Sequence, residues 1–203
     1  MSKVEILRCK GCGANLSPEN TNCNYCFSEN IVKANENPFN LDQKLSKQYA
    51  NYFKVQVQSD PSDGNAVFSL GLFHLNLKLY DLAIKSFQKA IELNPEEPEK
   101  HYYLALSMIK GRRPKTIPYK EIKEIEQFNN AALQLGDKAK YYYLAAIINF
   151  DFYASNGMKL PQPDYNELLN DANSAEAEPI ENKVILENVI IRKEKLIEIL
   201  AYE

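Results

Sequence analysis

Apolar positions along this chain follow two periods. Short alternating or apolar stretches at "VEIL" (4–7) and "IV" (31–32) predict strands, separated by the Asn-rich loop "SPENTN". Beyond residue 40 the period changes to that of a helix. "YFKVQVQSDPSDGNAVFSLGL" (52–72) aligns without a gap on "SFQKAIELNPEEPEKHYYLAL" (86–106), an offset of 34 residues. Phe53 falls on Phe87, Asp60-Pro61 on Asn94-Pro95, and Leu70-Gly71-Leu72 on Leu104-Ala105-Leu106. Thirty-four residues is the period of a helix–turn–helix repeat. A second helix of a preceding unit is expected over 40–60. A further unit starts near Pro98, is interrupted by about seven extra residues around "GRRPKTI", and resumes at Phe128 and Ala131. "KYYYLAAIINFDFY" (140–153) predicts a last first-helix.

After Leu160 the pattern gives way to "PQPDYNELLNDANSAEAE", which predicts a connector with a short helix at 164–172. From Pro179 onward Leu186, Val189, Lys193, Leu196 and Leu200 recur at steps of three and four, widened by Ile185, Ile190 and Ile197. One long amphipathic helix starting at a favourable proline is expected there. Thirteen of the 23 residues from Ile180 to Tyr202 are apolar, too many for a solvated tail. The helix has three destinations: capping the last repeat, lying in the chain's own groove against Phe68 and Tyr102, or pairing with another chain as an oligomer, with Lys193 setting register.

The stretch between residues 64 and 97 resembles a tetratricopeptide repeat. Val67, Leu70, Gly71, His74, Ala83, Phe87, Ala90 and Pro95 stand where that family has Trp, Leu, Gly, Tyr, Ala, Phe, Ala and Pro. Its neighbours are looser, with Tyr49 and Gln56 where small residues belong. The resemblance implies a concave surface lined by first helices: Phe68, Leu72 and Leu75, then Tyr102 and Leu106, then Tyr142 and Ala146. Such a lining suits an apolar protein segment, while the same residues also read as ordinary core. Leu72 replaces the asparagine with which some members grip a terminal carboxylate.

All four cysteines lie in "CKGCGANLSPENTNCNYC", as Cys9, Cys12, Cys23 and Cys26. Two Cys-x2-Cys turns can close a tetrahedron of thiolates around one structural Zn²⁺, leaving no open position for catalysis. Iron of rubredoxin type and free thiols are the alternatives. Gly13 follows the first pair, where a turn often needs a positive φ, and Phe27 stands at that place in the second. The segment resembles the short zinc ribbons near the N-termini of many bacterial proteins. About 36 residues build little core, so a metal would stabilise the ribbon directly.

Charge and composition remove other classes. The net charge is −3, which argues against general nucleic-acid affinity. No run of 18 apolar residues exists and "MSKVEILRCK" lacks an apolar signal region, so a cytoplasmic protein with no membrane span is expected. The one cationic cluster is Lys110, Arg112, Arg113 and Lys115, followed by Lys120 and Lys123. It reads as solvated surface, or as a docking patch for an acidic partner or nucleic acid. Both histidines, His74 and His101, fall at packing positions of the repeats, and no phosphate-binding, metalloprotease or nucleophile-elbow motif is present. No catalytic residue emerges.

The expected chain is therefore mainly α. It comprises a zinc ribbon (1–36), tetratricopeptide-like helical repeats (37–160), a connector (161–178) and a C-terminal amphipathic helix (179–203). The expected role is a non-catalytic adaptor for protein partners, with a nucleic-acid-associated factor as the alternative.

Overall fold

A computed structural model describes residues 3–20, 22–28, 31–177, 179–192 and 194–201. The protein is mainly helical, built as tetratricopeptide-like helix–turn–helix pairs with a small sheet at the N-terminus. Its contacts divide into two units, Met1–Leu93 and Asn94–Glu203.

In the first unit, β1 (Val4–Cys9) is the centre of an antiparallel three-stranded sheet between β2 (Asn15–Leu16) and β3 (Ile31–Glu36). Leu7 pairs with Leu16, and Cys9 with Ile31. The helices are α1 (Gln43–Ser59), α2 (Gly64–Asn76) and α3 (Tyr80–Leu93). Asp42 caps α1 by accepting from the Leu45 amide at 2.8 Å, and Asp63 caps α2 by accepting from Asn65 and Ala66. Phe73 of α2 stacks on Tyr49 and Phe53 of α1, and Phe87 of α3 packs beside Phe68.

Tyr49 sits where a repeat has a small residue, and the sheet explains why. Its buried hydroxyl accepts from the Leu7 amide at 2.6 Å and donates to the Leu16 carbonyl at 2.7 Å. One side chain thus serves the main chain of both β1 and β2 and ties them to α1.

The second unit holds α4 (Pro98–Ile109), α5 (Tyr119–Leu135), α6 (Ala139–Ile148), α7 (Tyr165–Ser174), α8 (Pro179–Asn188) and α9 (Glu194–Ala201). α4 pairs with α5 and α6 with α7. The short helix expected inside the connector is α7. A capping box starts it: Asp164 accepts from Asn166 and Glu167, and Glu167 accepts from the Asp164 amide.

The single long helix expected from Pro179 is two. Asn188 turns its side-chain amide back onto the Val184 carbonyl at 2.8 Å, and the Ile190 amide donates to the Arg112 carbonyl at 3.2 Å. Val189, Ile190 and Ile191 then form a β-branched run that favours extended backbone over another turn. Lys193, expected to set register, lies outside the described residues. α8 packs against α4 and α6, the two first-helices of this unit, so its destination is the helix face those elements share. Ile185, Val189, Leu196 and Leu200 of the expected stripe are buried, whereas Ile190 and Ile197 are exposed.

Candidate functional site

Each Cys-x2-Cys pair forms the same turn. The Cys9 carbonyl accepts from the Gly13 amide at 2.8 Å, and the Cys23 carbonyl accepts from Phe27 at 2.8 Å. The return bonds also correspond, Cys9 amide to Ala14 carbonyl at 2.9 Å and Cys23 amide to Ser28 carbonyl at 3.0 Å. Both turns close through a left-handed residue, Gly13 at φ 72° and Phe27 at φ 59°. Phe27 therefore fills the glycine's role despite its side chain, and stands exposed beside exposed Tyr25.

These two turns bring together all four sulfurs. They lie within 4.8 Å of one another, with Cys9–Cys26 at 3.3 Å and Cys12–Cys23 at 3.6 Å. Four sulfurs bound at ~2.3 Å on a tetrahedron would be separated by about 3.8 Å, so the cluster fits one soft four-coordinate ion. No disulfide joins them.

The local field also favours a cation. The Cys12 backbone amide chiefly lowers Cys9, to about 6, and the Cys26 amide chiefly lowers Cys23. At Cys12 and Cys26 the amides of Ala14 and Ser28 act in the same direction, but neighbouring thiols and burial outweigh them, and Cys26 rises to about 12. Thiols this close share protons, and full ionisation requires a cation among them.

Five of the six residues expected to line a partner surface lie in the interior. Phe68, Leu72, Leu75, Tyr102 and Leu106 are all buried, Leu72, Leu75 and Leu106 completely. Phe68 packs on Phe87, and Tyr102 lies between Tyr103 and Tyr141. The groove assignment is corrected for these five: their side chains are buried and line no open surface. Only Tyr142 is partly accessible, its hydroxyl donating to Asp137 at 2.9 Å.

The cationic cluster is likewise committed within the chain. Arg112 pairs with Glu121 and donates to the carbonyls of Met108 and Ile109. Arg113 grips the buried carboxylate of Asp151 through two nitrogens, at 2.7 and 2.9 Å. The Lys115 amide donates to the same carboxylate, and its ammonium to the Ser155 carbonyl. Lys110 ends α4 in left-handed backbone. The inserted "GRRPKTI" thus fastens itself to the turn after α6, and its guanidiniums are structural partners first.

The histidines keep their packing addresses. His74 Nδ1 is 3.3 Å from the Ser86 hydroxyl, and burial chiefly lowers its pKa. His101 Nε2 meets the Pro95 carbonyl at 2.7 Å.

One buried constellation had no motif to announce it. Lys140 of α6 is fully buried, 2.6 Å from Glu99 of α4 and 2.5 Å from Glu181 of α8. Its ammonium lies 5.0–5.6 Å from the ring centres of Tyr102, Tyr103 and Tyr141. Burial works to raise the Glu99 carboxyl, but Lys140 and Lys138 overrule it and hold it at about 2. The one available signal was Lys140 itself, a charge among apolar neighbours in "KYYYLAAII".

No curated protein matches the chain. Residues 65–97 match the tetratricopeptide repeat family model, so α2 and α3 together form one tetratricopeptide repeat.

Proposed function

We propose that this protein is a non-catalytic adaptor for protein partners, its N-terminal ribbon held together by one structural Zn²⁺. The carrying observation is the tetratricopeptide repeat at 65–97, an architecture that mediates protein interactions. The four sulfurs support zinc over a hard cation, because thiolates suit a soft tetrahedral ion and leave no coordination position for substrate. A cytoplasmic, bacterial setting accords with thiols kept as metal ligands. Among the described residues no helix is long and apolar enough to cross a membrane.

The partner surface of this proposal is the exposed apolar set and not the buried stripe. In the first unit Tyr25, Phe27, Tyr52, Val55, Leu79 and Leu82 are exposed. Self-association through the C-terminal segment would use Ile190 and Ile197, which α8 and α9 leave uncovered. A nucleic-acid role is the weaker reading, because Arg112 and Arg113 already serve Glu121 and Asp151.

Two measurements test this. Elemental analysis of protein purified without added metal is expected to give one zinc per chain. Iron, or four freely titrating thiols, would overturn the zinc assignment. Affinity capture from the native source is expected to recover a stoichiometric protein that is lost with Tyr25→Ser/Phe27→Gly or Val55→Ser/Leu82→Ser. Recovery of nucleic acid in a salt-sensitive complex would overturn the adaptor reading.

A further inference from the structure

α8 lies on α4 and α6 as a bound peptide helix lies on its receptor. Its buried side chains are Glu181, Val184, Ile185, Asn188 and Val189, which fall at i, i+3, i+4, i+7 and i+8. Lys183 and Glu187 stand exposed on the other side. The head of the buried row is a carboxylate, 2.5 Å from the fully buried Lys140 of α6. The row thus pairs one acid in the first turn with apolar side chains in the turns that follow.

The receiving face holds its charges without α8. Glu99 of α4 lies 2.6 Å from Lys140 and 2.8 Å from Lys138, and accepts from the Tyr141 hydroxyl at 3.2 Å. If α8 leaves, Lys140 keeps Glu99 and Glu181 passes into water. No buried ion is stranded, which is the usual penalty for breaking such a contact. Two ammoniums then share one carboxylate, so the vacated face is net positive. Lys140's two carboxylates are also unequal. Lys140 and Lys138 hold Glu99 at about 2, whereas burial raises Glu181 and outweighs the pull of Lys140. α8 is therefore anchored through the poorer of the two. With ten residues it is too short to be a stable helix by itself, so it forms while that face holds it.

We propose that α8 is an internal ligand, and that the α4–α6 face beneath it receives a helix of a protein partner with a carboxylate in its first turn and apolar side chains three, four and eight residues on. A basic residue at the first point would face the Lys140 ammonium, and a wholly apolar helix would forgo the ion pair. Tethered α8 competes at high local concentration, so a partner succeeds only where its helix fits better. The partner's existence rests on the adaptor reading, whereas binding of a peptide to this face is a property of the chain alone. Either can fail without the other.

The test is fluorescence anisotropy of a labelled peptide with the sequence of residues 179–190, titrated with the intact chain. Binding to the parent is expected to be weak, because α8 competes. Glu181→Gln in the chain loosens α8 while Lys140 keeps Glu99, and is expected to tighten peptide binding about tenfold. A peptide with Gln in place of its own glutamate is expected to bind that variant about tenfold more weakly. No binding to the folded variant, or equal binding of the two peptides, would overturn the proposal. Should the variant fail to fold, hydrogen exchange of the parent decides: α8 amides are expected to exchange well ahead of those in α4 and α6. Exchange of all three helices together would make α8 a fixed part of the fold, and would overturn the proposal. A parent chain that is dimeric in solution, and monomeric with Glu181→Gln, would assign the face to a second copy and overturn it too.

Discussion

Gly71→Ala tests the packing of the tetratricopeptide repeat at its closest point. Gly71 lies inside α2, where alanine is the better helix former by about 1 kcal/mol. On propensity alone the substitution should stabilise. A Cβ at this position would, however, stand 2.6, 2.8 and 3.0 Å from three ring carbons of Phe87. Carbon pairs are comfortable at ~3.5–4.0 Å, so the ring would have to retreat by nearly an ångström. Phe87 is completely buried and packed on Phe68, so it has nowhere to go. Overpacking of this kind typically costs about 1–3 kcal/mol, and contacts as short as 2.6 Å belong at the upper end, which leaves a net loss of up to roughly 2 kcal/mol after the propensity gain. Urea unfolding followed by far-UV circular dichroism should show a lower midpoint at unchanged slope. In a Phe87→Leu background the ring is gone, and Gly71→Ala should become neutral or stabilising. The coupling in that double-mutant cycle measures the contact. A Gly71→Ala chain more stable than the parent, or zero coupling, would show that α2 and α3 do not approach as described.

Phe27→Gly should stabilise the ribbon by roughly 1 kcal/mol, since it relieves a left-handed residue whose counterpart is already Gly13; urea unfolding checks this. Tyr49→Phe leaves the Leu7 amide and Leu16 carbonyl without their shared partner, and should cost about 1–3 kcal/mol with faster hydrogen exchange in β1. Lys140→Met deprives buried Glu181 of its ion partner and should cost about 3–5 kcal/mol, most of it recovered by adding Glu181→Gln. Glu99, held at about 2 in the folded chain against 4.5 for a free carboxyl, contributes stability that is fully present above pH 4.5. Acid unfolding should show it lost as pH falls towards 2, and Glu99→Gln should flatten that limb.

The cysteine cluster was legible because its geometry is local. Two cysteines three residues apart share one turn, and the residue after each pair takes the backbone value that closes it. Phe27 could only be read as a poor glycine, since nothing local shows that its side chain stands free in solvent. The repeat was equally legible at Gly71, Ala83 and Phe87, where size complementarity is written into neighbouring helices. Its degenerate neighbour was not. Tyr49 departs from the small residue of that position because the sheet's main chain needs its hydroxyl, and those partners lie 42 and 33 residues away.

The aromatic stripe shows where reading by type fails. Tyrosine, phenylalanine and leucine at helical spacing satisfy a core and a binding groove alike, and only the arrival of another element decides between them. In the second unit that element is α8. The apolar count after Pro179 required burial but carried no address, because apolar burial is non-directional. The address is electrostatic. Lys140 is fully buried, so a carboxylate has to reach it, and Glu99 on α4 and Glu181 on α8 do so from either side. Glu181 lies 41 residues from Lys140, and in "PIENK" it reads as an ordinary acidic first turn that favours the helix dipole. The same residue serves both purposes. The feature that starts α8 also binds it to the face shared by α4 and α6, and the first is visible from the sequence while the second is not.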